Sequence, residues 1–132
     1  MRKTTFVVLA AILAVGVYAW AATQVKVEAK ISSKCSPVPG AISVPAGKTA
    51  TGFKLLYLAN GQNCHTGGTA DSKGWSIKNA RGKNVYSWSA YKRNKPIELG
   101  GPLSKLSIGP GVYKVYVDGG RGALARVQYT LK

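Results

Sequence analysis

From Gln24 to Ser32 the chain alternates Val25, Val27, Ala29 and Ile31 with Lys26, Glu28 and Lys30. A two-residue period of this kind gives a strand one wet face and one buried face. No segment of 22–132 carries a sustained 3.6-residue period, so helices are excluded as the framework. Turns at Pro37-Val38-Pro39-Gly40 and Pro45-Ala46-Gly47 bracket a short strand at Ala41–Val44. The more continuous apolar run Gly52–Ala59 reads as a central strand, and the polar stretch Asn60–Lys73 as the long loop of the domain. Strands resume at Trp75–Lys78 and Val85–Ala90 around the turn Asn79–Asn84, and a basic stretch Lys92–Lys95 precedes Pro96. Leu103–Ile108 alternates imperfectly. Val112–Asp118 and Ala123–Leu131 then read as a hairpin across Gly119-Gly120-Arg121-Gly122. Seven or eight short strands punctuated by Gly and Pro predict an all-β fold, a single antiparallel β-sandwich of immunoglobulin-like or jelly-roll type. There is no internal repeat, linker or low-complexity segment.

The strands begin only after a segment of a different kind. Arg2 and Lys3 precede an uncharged apolar run from Thr4 to Trp20, closed by Ala19-Trp20-Ala21. A basic start, an apolar core and small residues at an A-x-A site are the three parts of a secretory signal peptide. Residues 1–21 are therefore read as the signal and 22–132 as the domain, in the periplasm or outside the cell. The competing reading is a retained anchor, because no charge falls between Lys3 and Lys26 and that length spans a bilayer.

An exported chain gives its cysteines a meaning. Cys35 and Cys64 are the two in the sequence, 28 residues lie between them, and an oxidising compartment favours their pairing as a disulfide. Closing a loop of that size contributes about 3–4 kcal/mol in the chain-entropy model.

The charge balance is extreme. Removing Arg2 and Lys3 from the 19 basic residues leaves 17 against four acids, a formal charge of +13 for residues 22–132. Such a surface attracts polyanions through counterion release and long-range steering, without reading sequence. Acidic polysaccharides of an envelope, lipopolysaccharide, teichoic acids, anionic lipid headgroups and extracellular DNA are partners of that chemistry, nucleic acid only non-specifically.

The segment Leu106-Ser107-Ile108-Gly109-Pro110-Gly111-Val112-Tyr113-Lys114-Val115-Tyr116-Val117 resembles the closing strands of secreted jelly-roll and immunoglobulin-like bacterial domains. The resemblance implies a fold and no activity. The order Gln24–Ile31 followed by Cys35 is also similar to the start of bacterial fimbrial subunits, although the tail after Tyr129 departs from their ending. That likeness implies a structural subunit, fimbria-like or filamentous, whose strand 24–32 contacts a second protein or another copy.

Catalysis has little to build on. His65 is the single histidine, the acids Glu28, Asp71, Glu98 and Asp118 are scattered, and there is no Gly-x-Ser-x-Gly. No catalytic residue, metal ligand or cofactor is expected. Binding has more support, for between Trp75 and Lys95 the chain interleaves Trp75, Tyr86, Trp88 and Tyr91 with Lys78, Arg81, Lys83, Lys92, Arg93 and Lys95. If the face carrying Tyr86 and Trp88 is exposed, it forms an aromatic platform edged by cations, suited to sugar rings or bases beside phosphates or carboxylates. If it is buried, the tryptophans are core. The cations Lys114, Arg121 and Arg126 of the C-terminal hairpin are expected on the same binding surface. The expected function is that of an exported, non-enzymatic domain engaging an anionic envelope polymer or polysaccharide.

Overall fold

The computed structural model describes residues 22–65, 74–89, 97–99 and 101–132. Among them nine strands form two antiparallel sheets packed face to face: β1 (Thr23–Ile31), β2 (Pro37–Val38), β3 (Gly40–Val44), β4 (Ala50–Ala59), β5 (Gly74–Lys78), β6 (Asn84–Ser89), β7 (Ile97–Leu99), β8 (Gly111–Asp118) and β9 (Leu124–Leu131). Sheet A has the order β2-β1-β9-β4 and sheet B the order β3-β8-β5-β6-β7. The expected antiparallel sandwich is the fold. Residues 1–21, expected to be a signal segment, lie outside the described residues, and among those described no helix is long and apolar enough to cross a membrane.

The core sits between the sheets because each strand's alternation turns one set of side chains inward. Sheet A contributes Ala29, Phe53, Ala125, Val127 and Tyr129, and sheet B contributes Ile42, Val44, Trp75, Ile77, Tyr86, Val115 and Val117. Ile42, Ile77, Val115 and Val127 are its largest fully buried side chains, and burying each stabilises the fold by about 1.5–3 kcal/mol. Phe53 stacks on Tyr129 with ring centroids 5.4 Å apart.

β1 lies inside its own sheet, paired with β9 at eight positions from Thr23↔Leu131 to Lys30↔Leu124. On its other side β2 pairs with it at Lys30↔Val38 and Ile31↔Pro37. Pro37 and Val38, expected in a turn, thus form a two-residue edge strand, a position where the missing proline N–H costs no ladder bond. The chain then leaves sheet A for sheet B at Gly40. A Cβ there would stand 2.6 Å from the Glu28 carbonyl oxygen and 2.5 Å from Val27 Cγ2, so the crossing requires glycine.

Three expectations are corrected. β8 and β9 are not a hairpin: β8 pairs with β3 and β5 in sheet B, β9 with β1 and β4 in sheet A. The glycine-rich segment 119–123 carries the chain from one sheet to the other. The run through Ala59 is not a central strand either, for β4 is the edge of sheet A. Register shifts between Thr51 and Lys54 and between Leu55 and Tyr57 break its alternation, which made it look continuously apolar. Leu103–Ile108 is not a strand: Leu103–Lys105 is a 3-10 turn, and Leu103 and Leu106 pack on the core at the three-residue spacing of that helix. Ile108 then bridges Ala50, covering one end of the β4 edge.

Cys35 and Cys64 are joined, as expected, with their Cα atoms 6.0 Å apart. Topology explains the pairing. Lys30 and Ala59 both oppose Leu124, so β1 and β4 reach the same end of sheet A on either side of β9. The loops that leave them meet there. Cys35 takes a left-handed backbone, φ 61°, in a turn where its N–H donates to the Ser32 carbonyl at 2.9 Å.

Candidate functional site

β5, β6 and β8 lie side by side in sheet B, and the alternation that buries Trp75, Ile77, Tyr86, Val115 and Val117 turns Ser76, Lys78, Ser87, Ser89, Lys114, Tyr116 and Asp118 outward. Register sorts them into rows. Lys114 opposes Lys78, Tyr116 opposes Ser76 and through it Ser87, and Asp118 opposes Gly74 and through it Ser89. Like charges directly opposite each other on neighbouring strands are destabilising, and among the described residues neither lysine is ion-paired. The Lys78 ammonium lies 5.9 Å from the centroid of the Tyr116 ring, within cation–π range.

Tyr116 is the ridge between two shallow cavities. One, of about 260 Å³, is lined by Lys78, Asn79, Gly82, Val112, Lys114 and Tyr116. The other, of about 200 Å³, is lined by Gly74, Ser76, Ser87, Ser89, Tyr116 and Asp118, together with parts of Trp75, Trp88 and Val117 of the same strands. The β5–β6 turn extends the basic end. Asn79 Oδ1 accepts from the backbone N–H groups of Arg81 and Lys83, each at 3.0 Å, and Gly82 supplies the left-handed residue, φ 77°. Arg81 and Lys83 are exposed on that turn. The face therefore offers ammonium groups, hydroxyls, one carboxylate and one aromatic ring, groups able to donate and accept hydrogen bonds and to hold an anion.

The aromatic residues singled out in the sequence lie on the other side of these strands. Trp75 and Tyr86 are buried, each 3% exposed, with ring centroids 5.0 Å apart. Trp88 opposes Trp75 in register and packs, half-buried, against the same core. The condition for an aromatic platform is not met, because the small residues Ser76, Ser87 and Ser89 took the solvent side. Of the cations expected here, Lys78, Arg81 and Lys83 fall on or beside the outer face of sheet B. Tyr91, Lys92, Arg93 and Lys95 lie outside the described residues. Lys114, Arg121 and Arg126 do not share a surface, since β8 and β9 belong to different sheets. Lys114 joins Lys78, Arg126 lies on the outer face of sheet A, and Arg121 donates through Nη2 to the Cys64 carbonyl at 3.3 Å. The residues that sequence reasoning passed over are Tyr116, Asp118 and the serines. Their signal was present: with Tyr113, Val115 and Val117 on one face of β8, its other face is Lys114, Tyr116 and Asp118.

Elsewhere, His65 is exposed, and its backbone N–H donates to Asn63 Oδ1 at 2.9 Å. Among the described residues no three of His, Cys, Asp and Glu gather as metal ligands would. Compared with family models, curated proteins and solved structures, the chain matches none of them.

Proposed function

We propose that this protein is an exported, non-enzymatic binding domain that engages an anionic polymer, an acidic polysaccharide of the cell envelope, through the outer face of sheet B. One observation carries the reading: Lys78 and Lys114 oppose each other without an acidic partner among the described residues, beside Tyr116 and the serines Ser76 and Ser87 in register with it. A bound carboxylate or phosphate relieves their repulsion, while the hydroxyls and the Tyr116 ring contact the sugar. Export is supported by the basic start, the apolar run to Trp20 and the A-x-A site, together with the Cys35–Cys64 bridge, a bond favoured outside the reducing cytoplasm. The strand-donating subunit has no comparable support, since β1 completes its own sheet.

The test compares two charge reversals of equal size on a heparin column. Lys78→Glu/Lys114→Glu should elute at clearly lower salt than Lys34→Glu/Lys105→Glu, whose lysines stand on turns. Equal losses would mean that charge is diffuse and that the sheet B face has no special role.

A further inference from the structure

On the opposite side of the sandwich, the outer face of sheet A holds a groove of about 480 Å³ lined by Lys26, Val27, Glu28, Leu56, Tyr57 and Arg126. Its chemistry differs from that of the sheet B face. Glu28, Arg126 and Tyr57 form one row across β1, β9 and β4, each directly opposite the next. Arg126 Nε lies 3.5 Å from Glu28 Oε2, and the guanidinium carbon lies 5.6 Å from the centroid of the Tyr57 ring. The row is therefore a carboxylate, a guanidinium and an aromatic face held in sequence.

The β4 bulge completes it. In a regular strand, consecutive side chains point to opposite faces, yet Leu56 and Tyr57 are 45% and 50% exposed. The register shift between Leu55 and Tyr57 inserts the extra residue that frees both from the core, and bulges of this kind re-aim side chains at binding sites. Exposing two adjacent apolar groups gains the fold nothing, and a solvent-exposed ion pair adds little to stability. Glu28 also cancels the Arg126 charge locally and repels anions, so the groove is ill suited to the polymer held by sheet B.

We infer that this groove is a second site, independent of the first, for the ring of a neutral pyranose whose equatorial hydroxyls leave its C–H faces flat. The apolar C–H face lies on the electron-rich face of Tyr57 and against Leu56. Glu28 accepts hydrogen bonds from ring hydroxyls, while Lys26 and the Arg126 donors not turned toward Glu28 supply hydrogen bonds to their oxygens. A ligand of this class needs an apolar surface with a few convergent polar groups, and the groove provides both.

The experiment is a ¹H–¹⁵N titration of the chain 22–132 with cellotetraose and, separately, chitotetraose, two neutral gluco-configured probes that differ at C2. Saturable shifts should centre on residues 26–28, 56, 57 and 126, with a dissociation constant of about 1 mM. Tyr57→Ala, at an exposed position, should keep the melting temperature close to that of the parent and weaken binding by about tenfold or more. Lys78→Glu/Lys114→Glu should leave it unchanged. The sugar that binds tells whether an acetamido or a hydroxyl group is taken at C2, and either response supports the site. No saturable shift with either sugar, an unaltered affinity in Tyr57→Ala, or displacement of the sugar by heparin from these same residues would overturn it.

Discussion

Tyr129 shows how much a single position carries. It is buried in β9, 3% exposed, against Phe53, and burial raises its phenol pKa above the ordinary value of 10.0 because the phenolate is poorly solvated there. The folded state therefore holds this proton more tightly than the unfolded chain does. The associated stability is fully present below pH about 10, where both states are neutral, and is lost as pH climbs through the raised value. A spectrophotometric titration should show a tyrosine fraction that ionises only above the ordinary range, together with a fall in melting temperature over the same interval. Tyr129→Phe should remove both; a late fraction that persists in the variant would assign it to another tyrosine. Gly40 and Cys35 make the complementary point about the backbone. The sequence marks Gly40 as part of a turn, but only the crossing between sheets shows that a Cβ would strike the Glu28 carbonyl. The disulfide was legible from two cysteines in a chain whose start reads as an export signal, whereas the left-handed conformation of Cys35 was not.

At the scale of elements, the alternation of β1, β8 and β9 reads directly because each has one wet face and one dry face. What alternation cannot convey is which strands pair. Val112–Asp118 and the strand after Ala123 have the pattern and the short connection of a hairpin, yet each finds its partners in a different sheet, and the five residues 119–123 suffice to cross between layers. Bulges erase the signal in β4, and the three-residue spacing of Leu103 and Leu106 imitates an imperfect strand. The Tyr86–Trp88 pair marks the limit most clearly, since parity puts both on one face but does not say which face is wet. The structure turns that face inward, with Trp75 fully packed and Trp88 half-buried near the β7 side of sheet B. Trp75→Ala should therefore cost about 3–5 kcal/mol of unfolding free energy. Trp88→Ala should cost about half of that, with tryptophan emission of the parent blue-shifted relative to the unfolded chain. Loss of heparin retention in Trp88→Ala without any loss of stability would instead restore the residue to the ligand surface.

The whole molecule is basic on both sides, and this bears on how its charge should be counted. Among the described residues the outer face of sheet A carries Lys26, Lys30, Lys54 and Arg126 against Glu28, while that of sheet B carries Lys78 and Lys114, with Arg81 and Lys83 on its turn, against Asp118. Packed sheets stand about 10 Å apart before their outer side chains are added, and the Debye length is about 10 Å at 0.1 M salt. A polyanion on one face is thus largely screened from the other, and the formal charge overstates what a single ligand meets. Short duplex DNA is a calibrated probe of this, because the slope of log affinity against log salt is about −0.9 per phosphate neutralised. Contact through Lys78, Arg81, Lys83 and Lys114 predicts a slope of about −3 to −4. Engagement of the full charge of +13 borne by residues 22–132 would give about −12. Lys78→Glu/Lys114→Glu should flatten the slope by about two units, whereas Lys26→Glu/Lys54→Glu should leave it nearly as it was. A slope near the larger value, or the same flattening from both pairs, would show a polymer wrapped around the sandwich rather than seated on sheet B.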